Sequence, residues 1–293
     1  MYDRLLIAVD GSDEAKRAAE RGLEFARAVD ATVDVLYVVE RKSLRLSRSA
    51  DEKTRLHERG NAALEEVEAL ASAIGQPVTT ALREGTPADG ITDYAAERDA
   101  DLLVIGRQGL TGLGKRLLGG VTERLLRRSD VPVFVVPTGA ADATTDYSDL
   151  LVPTDGSDTA ALATEHGAAV ARQYGSTAHV LNIVDLQAAG GAFDVGGLER
   201  DFVDRLEADG EAVVEDAATE IGAVAPAVTT AVVRTMSFDG VAAGIREYVD
   251  DAGIDLIVMG ARGRSNLGRR VLGSVTTTLI RSVDVPILVV TQS

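Results

Sequence analysis

The chain contains the same long loop twice, and that duplication limits its possible folds more than any other feature. In the second half an apolar run, Asp255-Leu256-Ile257-Val258-Met259, ends at Gly260, followed by two residues, Gly263, nine residues, Gly273 and then Ser274. In the first half Asp101-Leu102-Leu103-Val104-Ile105 leads to Gly106, two residues, Gly109, nine residues, Gly119 and Gly120. An apolar run ending in glycine reads as a buried strand leaving a sheet, and Ser274 ahead of Val275 to Arg281 reads as a helix N-cap. Each loop then carries the chain from the carboxyl end of a strand to the amino end of a helix.

Such a loop suits a phosphate. Glycines let backbone N–H groups approach closely, and the following helix offers unpaired N–H groups with a partial positive charge. Arg262, Arg264, Arg269 and Arg270 crowd the second loop of a chain whose formal net charge is −16. A single glycine-rich loop is as compatible with a solvated surface turn as with a ligand cradle. Its recurrence favours the cradle.

The repetition extends beyond the loops. Leu5-Leu6-Ile7-Ala8-Val9-Asp10-Gly11-Ser12-Asp13 matches Leu150-Leu151-Val152-Pro153-Thr154-Asp155-Gly156-Ser157-Asp158, and Val131 to Val136 matches Val285 to Val290. The Gly-2x-Gly-9x-Gly-Ser pattern, preceded by an apolar strand and with an aspartate about a hundred residues upstream, resembles the universal stress protein family in a tandem arrangement. The resemblance covers nearly the whole chain. It implies an α/β fold made of two tandem doubly wound parallel five-stranded sheets, strand order 3-2-1-4-5, with helices on both faces. It also implies a stress-response-type protein that binds ATP, with or without Mg or Mn.

Carried over residue by residue, the resemblance places Asp155 at the adenine edge and Ile183 against the base. Gly260, Gly263, Gly273 and Ser274 would hold ribose and phosphates, and Thr276 would add a hydroxyl. The matching first-half positions are Asp10, Val38, Gly106, Gly109, Gly119, Gly120 and Thr122. In the family the fifth strand pairs with its counterpart in a partner domain, which here implies an intramolecular pseudo-twofold pairing of Val131–Val136 with Val285–Val290. An apolar edge left open invites aggregation, so such pairing is physically reasonable.

Composition narrows the rest. The 293 residues, 45% of them apolar, fit two globular domains, 1–137 and 149–293, joined by a polar, alanine-rich linker over 138–148. There is no cysteine, which excludes disulfides, thiolate metal sites and cysteine nucleophiles. His57, His166 and His179 lie outside the loops and read as structural or surface residues. The absence of long apolar runs and of a signal-like start points to a soluble cytoplasmic protein without membrane segments. A pI near 4.6 argues against a general nucleic-acid binder. Lysine occurs only at 16, 42, 53 and 115, and this acidic, lysine-poor composition is similar to that of proteins from salt-loving organisms.

Read in order, the chain alternates strands and helices, which predicts parallel sheets covered on both faces. Arg4–Val9 is a strand, and helix one buries Ala15, Ala18, Ala19, Gly22, Leu23, Phe25 and Ala26, capped by Ser12 or Asp13. Strand three ends at Arg83, and Glu84-Gly85-Thr86-Pro87 turns into the next helix. The second half has Arg234-Thr235-Met236-Ser237-Phe238 there, a departure that alters one pocket rim. No Walker lysine motif and no positioned general base are visible, so binding is better supported than catalysis. Three classes remain: a nucleotide-responsive binding module, a slow ATP-hydrolysing or phosphate-transferring enzyme, and a nucleotide-free scaffold. Because Gly120 stands where the second half has Ser274, ATP is expected preferentially in the second half.

Overall fold

A computed structural model describes residues 1–41, 43, 50–109, 117–137, 146–190, 200–236, 240–264 and 271–291. They fall into two compact units, Met1–Thr145 and Asp146–Gln292. The first unit runs β1 (Arg4–Val9), α1 (Asp13–Ala28), β2 (Thr32–Glu40), α2 (Ala50–Ile74) and β3 (Val78–Gly85), then α3 (Pro87–Glu97), β4 (Leu102–Gly106), α4 (Gly120–Arg128) and β5 (Val133–Val136). The second runs β6 (Asp149–Pro153), α5 (Asp158–Tyr174), β7 (Thr177–Asp185), α6 (Leu186–Gly190) and α7 (Arg200–Gly222), then β8 (Ala227–Thr235), α8 (Gly240–Ala252), β9 (Leu256–Gly260), α9 (Ser274–Ser282) and β10 (Ile287–Val290).

Within the first unit the strands lie in the order β3-β2-β1-β4-β5, all parallel. Within the second the order is β8-β7-β6-β9-β10, again all parallel. Both are the doubly wound 3-2-1-4-5 arrangement. The central strands β1, β4, β6 and β9 are almost wholly buried, which is why they read as continuous apolar runs rather than alternating ones. All seven residues expected on the inward stripe of α1 are buried, and Ser12 caps that helix by accepting from the Ala15 N–H.

Registers show where each sheet opens. β1 and β4 pair from Leu5↔Leu102 to Ile7↔Val104, and β6 and β9 pair only at Leu150↔Leu256 and Leu151↔Ile257. Beyond those residues the neighbours diverge although both strands continue. The divergence falls where the strand order reverses, the place at which open α/β sheets bind ligands.

The opposite, amino ends of the sheets carry polar clusters that differ between units. In the first, buried Asp34 on β2 receives Arg4 at 3.2 Å and Arg98 at 3.1 Å. In the second, His179 at the matching position of β7 contacts Asp149 at 3.2 Å and the Tyr248 hydroxyl at 3.0 Å.

One boundary needs correction. β3 continues through Glu84 and Gly85, paired with Val39 and Glu40, so the turn into α3 begins only at Thr86, which caps a helix with Pro87 in its first turn. After β7 the chain enters the short helix α6, and residues 191–199 beyond it lie outside the described residues. So do 138–145 of the expected linker, whereas Tyr147 at its end is buried in the second unit. There it packs edge-on against Tyr174, and its carbonyl accepts from the Ser176 hydroxyl.

Candidate functional site

The site of the second unit is assembled at the diverging ends of β6 and β9. β6 ends in Pro153, and the Thr154 N–H that follows donates to Leu181 of β7 at 2.9 Å. Backbone directions alternate along a strand, so the position of Pro153 that lacks an N–H faces the side from which β9 has departed. Asn182 on β7 donates to the Thr154 carbonyl at 2.8 Å, holding the end of β6 on its other side.

Asp155 comes next and joins two distant parts of the chain. One carboxylate oxygen accepts from the Ser157 N–H at 3.0 Å, shaping the turn into α5, and the other accepts from the Arg264 N–H in the glycine loop at 2.9 Å. Gly263 lies directly against this carboxylate, so that a Cβ there would collide with Oδ2. The first unit repeats the arrangement. Asp10 accepts from the Ser12 N–H at 3.0 Å and the Ser12 hydroxyl at 2.6 Å, and a Cβ on Gly109 would strike its Oδ2.

The strand-end glycines approach the other wall. A Cβ at Gly260 would press on the carbonyl of Thr159 in α5, and one at Gly106 on that of Glu14 in α1. The loop closes on itself where the Gly273 N–H donates to the Ala261 carbonyl at 2.9 Å, and Gly119 does the same to Arg107. Thr276 and Thr122 are buried, and their hydroxyls donate to the Gly260 and Gly106 carbonyls at 3.0 and 2.9 Å. Their protons hold strand end to helix.

Ser274 also differs from expectation. The N-cap of α9 is Gly273, whose carbonyl accepts from Thr277, and Ser274 is the first helical residue. It is exposed, and its hydroxyl makes no hydrogen bond among the described residues. Its N–H and those of Val275 and Thr276 belong to the helix's unsatisfied first turn. In the first unit Gly119 is the cap and Gly120 the first residue, with nothing within 4 Å of a Cβ built there.

These groups surround a cavity of about 250 Å³ in the second unit. Asp155, Ile183, Gly260, Gly263, Gly273, Ser274 and Thr276 all line it, together with Thr154, Asn182, Arg262 and Arg264. Sequence reasoning missed the apolar wall formed by Val241 and Ile245, one turn apart on α8, with Met259. Their spacing is a visible signal, since residues four apart share a helix face. In the first unit Val38 is half-buried and close to Gly90, and Tyr37 occupies the position of Asn182, its phenol raised above its ordinary pKa chiefly by burial. Loop residues 110–116 and 265–270, including Arg269 and Arg270, lie outside the described residues.

A divalent metal finds no ready ligand set here. No cluster of three potential metal-binding side chains occurs among the described residues, and the cavity's one described carboxylate, Asp155, already accepts two backbone N–H bonds. None of the three histidines lines the cavity.

Two doubly wound units, each with a glycine loop and a helix amino end facing a strand-end aspartate across a switch point, define a tandem α/β protein. The sequence profile of the Universal stress protein family matches residues 1–137 and again 146–291, so the chain belongs to that family. A universal stress protein of Methanocaldococcus jannaschii is 36% identical over 141 residues, covering 46% of this chain and 82% of its own. One from Thermus aquaticus is 33% identical over 137 residues, covering 46% and 99%. The crystal structure of a universal stress protein from Archaeoglobus fulgidus matches over 100% of both chains, with a TM-score of 0.74 and 21% identity, a likeness of fold.

Proposed function

We propose that this chain is an adenine-nucleotide-binding regulatory module that takes ATP in the second unit. The observation that carries the reading is the exposed Ser274 hydroxyl, unbonded among the described residues, beside the first-turn N–H groups of α9 at the mouth of a cavity with an apolar wall. Ile183, Val241, Ile245 and Met259 suit the faces of a base, and the helix end suits phosphates. The volume lies just below the roughly 300–1,000 Å³ typical of small-ligand sites, which fits a base and ribose inside with phosphates toward the open rim. Asp155 acts as the tie that holds turn and loop together.

A binding role is favoured over hydrolysis because the described lining holds no histidine or glutamate, and its aspartate is committed to the backbone. A metal, where one accompanies the triphosphate, would be held by the phosphates rather than by this chain. We further propose that the apolar fifth strands of the two units cover one another's edges, and that the protein works in the cytoplasm, where adenine nucleotides abound.

The test is extraction of the purified protein followed by mass spectrometry, then titration with ATP. Adenine nucleotide is expected in the extract. Ser274→Ala should weaken ATP binding roughly ten- to a hundredfold, since a hydrogen bond to a charged group is worth about 1.5–3 kcal/mol. Unchanged affinity in that variant would overturn the assignment of Ser274, and no binding by the full chain would overturn the function.

A further inference from the structure

Two places beyond the glycine that ends the fourth strand, the first unit has Gln108 and the second has Arg262. Gln108 is buried, and its Nε2 donates to the Leu117 carbonyl, just ahead of α4. The carboxamide thus ties the entry of the first glycine loop to its exit and carries no charge. Arg262 is half-buried, lines the cavity and forms no ion pair or side-chain hydrogen bond among the described residues. Its backbone is held in place because its carbonyl accepts from the Thr159 hydroxyl at 2.7 Å.

In a chain with 46 acidic and 30 basic residues, a permanently charged guanidinium beside a cavity and a helix amino end provides an attractive field for a polyanion. Resting on the nucleotide reading above, we propose that Arg262 is the specificity-determining residue that makes the second unit prefer triphosphate over nucleoside. Gln108 denies the first unit the same preference. The helix end and Ser274 accept whatever phosphate arrives, whereas Arg262 counts charge. Its contribution therefore grows from adenosine through ADP to ATP, and falls as salt is added.

The experiment is calorimetric titration of the full chain with adenosine, ADP and ATP at two salt concentrations, for the native protein, Arg262→Gln, Arg262→Lys and Gln108→Arg. Arg172→Gln, an exposed cation on α5, controls for net charge. Arg262→Gln is expected to weaken ATP about ten- to a hundredfold, to leave adenosine unchanged and to flatten the salt dependence. Arg262→Lys should keep most of the preference, and Gln108→Arg should add a second ATP per chain. An Arg262→Gln protein that still prefers ATP to adenosine as the native one does would overturn the inference and leave the nucleotide reading standing. Native protein that binds none of the three ligands would overturn both.

Discussion

At the scale of single residues, each glycine loop is defined by atoms it must leave room for. Gly263→Ala would drive a methyl into the Asp155 carboxylate and break its bond to the Arg264 N–H, whereas Gly120→Ser places its side chain in open space. We therefore expect Gly263→Ala to abolish ATP binding by the second unit and to cost about 1–3 kcal/mol in denaturant unfolding. Gly120→Ser should leave unfolding unchanged and tighten ATP binding in the first unit, both measurable on one set of proteins. Much of this site was legible in the sequence, because the spacing of Gly260, Gly263 and Gly273 repeats in the other half. What escaped was the direction in which hydroxyls act. Ser274 mimics a cap because caps and first-turn residues share the same neighbourhood, and nothing in the spacing shows that the Thr276 proton goes to the Gly260 carbonyl.

At the scale of elements, two helices carry histidines whose protonation acts in opposite senses. His166 on α5 is lowered from its ordinary pKa chiefly by burial. The stability it contributes is present above the unfolded pKa near 6.5 and is lost as pH falls through its folded value. His57 on α2 is raised, first by the Lys53 carbonyl and then by Glu84, so its contribution is present below about pH 6.5 and lost as pH rises through its folded value. Denaturant unfolding between pH 5 and 8 should show a shallower acid loss for His166→Gln. For His57→Gln the loss should be confined to the acid side; no change of slope in either variant would refute the assignments. Strand and helix types were readable for the repeated elements, since central runs are apolar and α1 has a clean stripe, whereas the short helix α6 was not. Boundaries were not: Gly85 signals a turn, yet pairing with Glu40 extends β3 past it, and Val241 with Ile245 reads as ordinary core until β9 diverges and leaves them facing a cavity.

For the whole molecule, the dominant quantity is a net charge of −16, which repels itself at low ionic strength. Unfolding followed through a KCl series should show stability rising toward molar salt, and equal stability at both ends would count against a salt-adapted chain. Pairing of the fifth strands is open to a direct check because the chain has no cysteine of its own. Single cysteines placed along 133–136 and 287–290, combined pairwise, should form an intramolecular disulfide for at least one combination, and failure of all of them would refute the pairing. The bond from the Arg264 N–H to Asp155 spans 109 positions of sequence, and the β1–β4 ladder of the other unit reaches almost as far. Closing so long a loop is slow compared with forming a helix, and in the second unit β9 emerges well after β6 during synthesis. A nucleotide that touches both Asp155 and the glycine loop would thus find no purchase on a half-made unit, and its capture would mark the moment at which the chain has finished folding.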